Sequence, residues 1–182
     1  MKKIIVCLFL GVAVLPLQAQ DKDTLAHGLP WIFFNATDFT RPDNDTGVAG
    51  QINHDTGEQF NDYAQFWCGY LKAPTYGEIT IVAEADNGLR LALGGKLVID
   101  GWGEGTAREA KVTVKEGEYL PMQLEFFQDG GKAFCRLHWK WEGKEQQLIP
   151  VSAFFHDQKD KDLIERLRKG ETTVPEARSW KQ

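Results

Sequence analysis

Asp86, Asn87 and Gly88 stand between two apolar runs in the stretch EADNGLRLALGGKLVIDGW, residues 84–102. Neighbouring Asp and Asn oxygens suit two tasks: holding a hard cation, or hydrogen-bonding the hydroxyls of a ligand. Asp100, Trp102 and Glu104 follow within one short stretch, and Asp129 opens Asp129-Gly130-Gly131. A flat indole buries the apolar side of a ring while nearby oxygens bind its polar edge. Calcium takes roughly six to eight oxygens, so Asp86 and Asn87 need help from Asp100, Glu104, Thr106 or Asp129. The plainer alternative makes Asp86-Asn87-Gly88 a hairpin turn, with Asp86 bonding nearby backbone amides.

These residues share a site only if the elements between them bring them together. From Gln65 to Ile149 apolar and polar residues alternate between glycine-bearing turns, the pattern of short antiparallel strands. Ile79, Ile81 and Ala83 share a face, as do Leu89, Leu91 and Leu93, and Leu120, Met122, Leu124 and Phe126. The last long strand sets Cys135, Leu137, Trp139 and Trp141 against Arg136, His138 and Lys140. Such regularity predicts an all-β, antiparallel barrel or sandwich. If the strand at 78–85 runs up, alternation of direction puts the 86–88 turn, the 101–107 loop and the 128–131 loop at the top. The long segment 40–62 enters there too. One rim should therefore hold Asn87, Gly103 and Gly130.

The ends differ in character. Residues 1–19 carry Lys2 and Lys3, an apolar run from Ile4 to Leu15 and small residues before Gln20. That is the form of a secretory signal peptide, and the run is too short to span a bilayer comfortably. Export to a periplasmic or extracellular location is expected, with no transmembrane segment after cleavage. Removing residues 1–19 would take two lysines and no acid, moving the formal charge from −5 to −7. An acidic chain without a basic run argues against nucleic acid, whose phosphates need Lys and Arg. Residues 20–27 read as an arm, 28–156 as the β domain, and 157–182 as a helix and tail. Leu163, Ile164 and Leu167 are at helical spacing and Gly170 is a stop signal.

Four histidines are scattered, and neither a Gly-x-Ser-x-Gly turn nor a Cys-x-x-Cys pair occurs. Acids are plentiful, so Asp100 and Glu104 do not by themselves make a hydrolase pair. The expectation is a protein that is not an enzyme. Cys68 and Cys135 are the cysteines left after cleavage, either bridged across the fold or buried as two thiols.

Taken in order, "GLPWIFF…DF" at 28–39, "FWCGYLKAPTYGEITIVAEADNGLRLALGGKLVIDGW" at 66–102, "EGEYLPMQLEFFQDGGKAFCRLHW" at 116–139 and "LIPVSAFF" at 148–155 resemble the protective-antigen fourteen-kilodalton, or PA-14, domain. The resemblance implies a β-barrel or sandwich that most often binds carbohydrate or serves adhesion, in glycosidases, flocculins, adhesins and toxins. Sugar-binding members look like calcium lectins in which two adjacent acids, joined by a cis peptide, hold the ion. Asp86 and Asn87 match those positions and are the candidate metal ligands. Asn87 replaces the second acid, and Leu93-Gly94-Gly95 replaces the family's Ile-Asp-Gly; fewer carboxylates mean weaker calcium binding.

The expected function is a non-catalytic, lectin-like module binding a glycan or glycoconjugate through Asp86, Asn87, Asp100, Trp102, Glu104 and Asp129, with calcium as candidate cofactor. Its rival is an interaction or structural module that docks on an envelope or secreted protein, with the C-terminal helix as contact. Trp102 either stacks on the sugar or caps the barrel core. Arg90 either braces Asp100 or Glu84 across the sheet or faces ligand. Trp67, Trp139 and Trp141 read as core.

Overall fold

The computed structural model describes residues 24–55, 61–103 and 107–175. The expected signal peptide, Glu104, Thr106 and the end of the tail lie outside the described residues. Among the described residues, thirteen strands form two antiparallel sheets packed face to face. The eight-stranded sheet contains β1 (Ala26–His27), β2 (Leu29–Phe34), β3 (Pro42–Ala49), β5 (Tyr63–Lys72), β7 (Gly88–Leu93), β8 (Lys96–Gly101), β10 (Tyr119–Gln128) and β13 (Phe154–His156). The five-stranded sheet contains β4 (Asn53–Asp55), β6 (Gly77–Asp86), β9 (Arg108–Val114), β11 (Phe134–Trp141) and β12 (Lys144–Leu148). The fold is a β-sandwich, as the alternation implied.

Period-two alternation sends one row of each strand into the space between the sheets. Ile79, Ile81, Ala83 and Ala85 of β6 meet Leu89, Leu91 and Leu93 of β7 and Leu124 and Phe126 of β10. Each buried Ile, Leu or Phe among them contributes roughly 2 kcal/mol by removal of apolar surface from water. Trp67 and Trp139 are buried in this core and Trp141 packs against its edge.

Two sequence expectations need correction. The chain does not turn back at Asp86–Gly88 as a hairpin: β6 pairs with β9 and β11, whereas β7 pairs with β8 and β10. The triplet instead carries the chain from one sheet to the other. Nor is 40–62 one long connection, because β3 and β4 lie inside it. Their short, polar, exposed sequences lack an apolar row and so gave no strand signal.

β5 does not alternate, being buried on both faces over most of its length. The reason is α1 (Gln158–Arg168), which lies on the outer face of the eight-stranded sheet. Ile164 and Leu167 join Ile32, Phe34, Ala64, Phe66 and Cys68 in a second, smaller core. Cys68 Sγ sits 3.7 Å from the Asp160 carbonyl oxygen under the helix, while Cys135 lies between the sheets. The two cysteines are free thiols on opposite sides of a sheet. Burial raises both thiol pKa values, that of Cys135 to about 12.

α1 begins with a reciprocal capping box. Asp157 accepts from the Asp160 amide at 3.1 Å and Asp160 accepts from the Asp157 amide at 2.9 Å. It ends at Gly170 (φ +68°), with Glu171 N–H donating to the Arg166 carbonyl and Gly170 N–H to Leu167, a Schellman turn. That turn throws Thr172–Val174 back toward the sheet.

Burial pushes the Asp160 carboxyl up to about 7; the hydrogen bond from the Asp157 backbone N–H opposes the rise, the Asp157 carboxylate adds to it, and Lys159 opposes it. Its folded pKa thus exceeds the ordinary carboxyl value of about 4, so the contribution to stability is full below pH ~4 and lost as pH climbs through ~7. Melting temperature followed by circular dichroism should fall between pH 5 and pH 8, and Asp160→Asn should flatten that fall.

Candidate ligand-binding site

The crossing at Asp86–Gly88 determines what meets at the rim. The Asp86–Asn87 peptide is cis, as the resemblance implies. Gly88 leaves no room for a side chain: a Cβ there would stand 2.2 Å from the Phe127 ring and 2.8 Å from Gly103 N. Glycine thus lets the crossing and the 101–103 segment touch. Asn87 binds the third loop twice. Its amide N–H donates to the Phe127 carbonyl at 3.3 Å, and its Oδ1 accepts from Asp129 N–H at 3.0 Å. On the far side a Cβ at Gly131 would be 3.7 Å from Asp86 Oδ2, and one at Gly130 would be 3.8 Å from Asn61 Oδ1. Asn87, Gly103 and Gly130 therefore lie at one pole of the sandwich.

Gln128 was not singled out in the sequence. It ends the inward row of Leu124 and Phe126, fully buried, and its Nε2 donates to the Gly130 carbonyl. A polar residue closing an apolar row was the available signal. Its Oε1 is buried with no protein partner among the described residues. Beside this loop opens a recess of about 630 Å³ whose walls include Asn35, Asp43, His54, Asn61 and Tyr63. His54 Nε2 and Tyr63 Oη are 3.2 Å apart, and burial lowers the His54 pKa, favouring the neutral ring.

The rim's oxygens are hard, the kind calcium takes: the Asp86 carboxylate and the Asn87 amide oxygen. Their charge is low, because Asn87 is neutral and already accepts a backbone amide. Among the described residues no three His, Cys, Asp or Glu side chains gather as a metal cluster. Asp86 and Asn87 are the residues that could hold a calcium ion, and they supply fewer oxygens than the roughly six to eight it takes.

Asp100 and Trp102 do not join this rim. After Gly101 the Trp102 ring folds onto the outer face of the eight-stranded sheet, against Phe127 (centroids 4.4 Å apart) and Phe39 (5.8 Å). It therefore packs against the helix-side core and not the space between the sheets, so of the two roles offered for Trp102 the cap on the barrel core does not hold. Arg90 lies over the indole at 4.1 Å. The guanidinium reaches Asp100 at 3.0 Å and Glu125 at 3.2 Å, each directly across a strand pair. Asp100 is the brace the sequence suggested; the second partner is Glu125, while Glu84 lies on the other sheet opposite Arg136. Glu104 lies outside the described residues.

A model of the PA14 domain matches residues 25–153. The chain belongs to the PA14 domain family. A curated relative of this PA14 chain is anti-sigma-I factor RsgI3 of Acetivibrio thermocellus, 28% identical over 138 residues, covering 70% of this chain and 21% of that protein. The chain thus spans about a fifth of its relative's length. Among solved structures, an anti-sigma factor domain-containing protein superposes with a TM-score of 0.69 at 23% identity, over 72% of this chain and 48% of that one. The epithelial adhesin 9 A domain of Candida glabrata, in complex with Galb1-3GlcNAc, gives 0.67 at 12% identity, over 76% and 93%. The PA14 domain of the MpAFP antifreeze protein gives 0.60 at 14%, over 75% and 94%. At these identities the structural likeness is one of fold.

Two outcomes follow from the geometry. Asn87→Ala should remove the acceptor for Asp129 N–H, costing about 1 kcal/mol, and amide hydrogen exchange at 129–131 should speed up while that of the core strands holds. Arg90→Ala leaves Glu125, a carboxylate only 4% exposed, without its guanidinium. Urea denaturation should show a loss of about 3 kcal/mol, partly recovered by adding Glu125→Gln.

Proposed function

We propose that this PA14 chain is an exported, non-catalytic carbohydrate-binding module that takes a glycan or glycoconjugate at the rim formed by the Asp86–Gly88 crossing and the 128–131 loop. The observation that carries it is the Asn87 clamp, which holds an aspartate, backbone amides and a glycine pair together at one pole beside a polar recess. Fixed oxygens and amides on a concave rim match the alternating donors and acceptors of a sugar edge. The glycan-bound adhesin neighbour has the same fold. Asp86 and Asn87 would hold calcium, which would supply a Lewis-acidic contact to sugar hydroxyls. Asp129, whose backbone N–H is held by Asn87, would bind the same ligand.

A second reading is favoured by the likeness to anti-sigma factors: a regulatory module whose partner is a protein. The form of it that uses the helix as contact loses support, because Ile164 and Leu167 are already buried against the sheet. The large apolar side chains exposed among the described residues are Val48, Tyr76 and Val151.

A glycan array with and without chelator separates the readings. Glycan signal that weakens on chelation supports the calcium-assisted form, and signal unchanged by chelator supports the rim acting alone. Silence in both, with a protein recovered by pull-down, rejects it. Asn87→Asp should raise calcium affinity about tenfold, read by isothermal titration, because it restores one ligand charge.

A further inference from the structure

A cleft of about 760 Å³ opens on the outer face of the eight-stranded sheet, away from the rim. Its size falls within the range of small-molecule sites, roughly 300–1,000 Å³. One wall is aromatic, from Phe39 and Trp102; the other is the returning tail, Thr172–Val174, placed there by the Schellman turn at Gly170. Arg90 and Glu125 form its floor.

The floor is chemically unusual for a sheet face. A buried ion pair is costly compared with apolar side chains of the same volume, so here it contributes something other than packing. Arg90 is fixed on three sides: Asp100, Glu125 and the Trp102 ring. The two carboxylates on it outweigh the single guanidinium charge, so this cluster disfavours a phosphate or carboxylate ligand. The Trp102 face that could receive an ammonium is already taken by Arg90. What remains is an aromatic wall, carboxylate and guanidinium edges set in place, and threonine hydroxyls. Those groups match a neutral ring that is apolar on its faces and hydroxylated at its edge.

We infer that this cleft is a second, metal-independent saccharide site, with Trp102 and Phe39 as the apolar wall, Arg90 and Glu125 as the polar floor, and Thr172 as the tail-side wall. The inference rests on the saccharide reading for its ligand class, and on none of the oxygens at the rim. Phe39 holds a left-handed backbone conformation (φ +61°) while packing edge-on against Phe34, which turns the aromatic wall toward the cleft.

The test is nitrogen-15 NMR titration of the whole chain in EDTA with the methyl β-glycosides of glucose, galactose and xylose, and with choline chloride. At least one glycoside should shift the Trp102 indole N–H and Arg90 Nε–H signals saturably, with a Kd of about 10 mM or tighter. The Asn87 side-chain amide should stay still. Thr172→Trp, which fills the cleft from the tail and spares both cores, should weaken that binding about tenfold or more. Trp102→Ala should do the same. Glycosides that leave Trp102 and Arg90 unmoved would overturn the inference, as would choline shifting them more strongly or Thr172→Trp binding like the parent. Shifts confined to Asn87 and 128–131 in calcium would support the rim and sink the cleft; shifts at Trp102 with a silent rim would do the reverse.

Discussion

The rim depends on a close approach at Gly88. β6 and β7 belong to different sheets, so the chain must cross the end of the sandwich between Asp86 and Gly88. Backbone from the crossing, the Gly103 segment and the Phe127 ring all converge on a point where a methyl group would not fit. Once that contact is made, Asn87 is within reach of Phe127 and Asp129 and can clip the third loop in place. The crossing and the clamp are one device: each makes the other's geometry affordable, and the oxygens at the rim are set by both.

The two faces of β10 then take on different work. Its inward row runs from Leu120 to Gln128, filling the main core and ending in a buried amide under the third loop. Its outward row contains Gln123, Glu125 and Phe127, of which Glu125 meets Arg90 and Phe127 meets Trp102. A single strand thereby connects the rim to the outer cleft. α1 completes the picture by packing on β2 and β5, and the tail reversed at its C-terminal cap forms the far wall of the cleft over Arg90 and Glu125.

Much of this was legible in the sequence, for physical reasons. Alternating residues fix which face is buried, and counting turns fixes strand direction whatever the sheet; hence Asn87, Gly103 and Gly130 could be placed at one end without knowing any pairing. Sheet membership was not legible. Asp-Asn-Gly has the composition of a hairpin turn, and nothing local distinguishes a turn within a sheet from a crossing between sheets. β5 held the clue to the helix: Tyr63 to Leu71 lacks alternation because both faces are covered, and only a third layer can do that.

Trp102 shows the limit most clearly. Its position after Asp100 placed it near the rim, and its backbone is indeed there. The direction of its ring, however, is decided by Arg90, Phe39 and Phe127, residues far apart in the sequence that meet only after the sheet forms. Arg90 could be matched with Asp100 because the two flank one hairpin; Glu125, from a strand that closes much later in the chain, could not. The same register that hides such partners from a linear reading makes them hard to separate in the folded protein, since removing the Arg90 guanidinium takes a partner from the buried Glu125. Two chemically distinct surfaces, an oxygen-lined rim and an aromatic and ionic cleft, thus meet on one strand, β10.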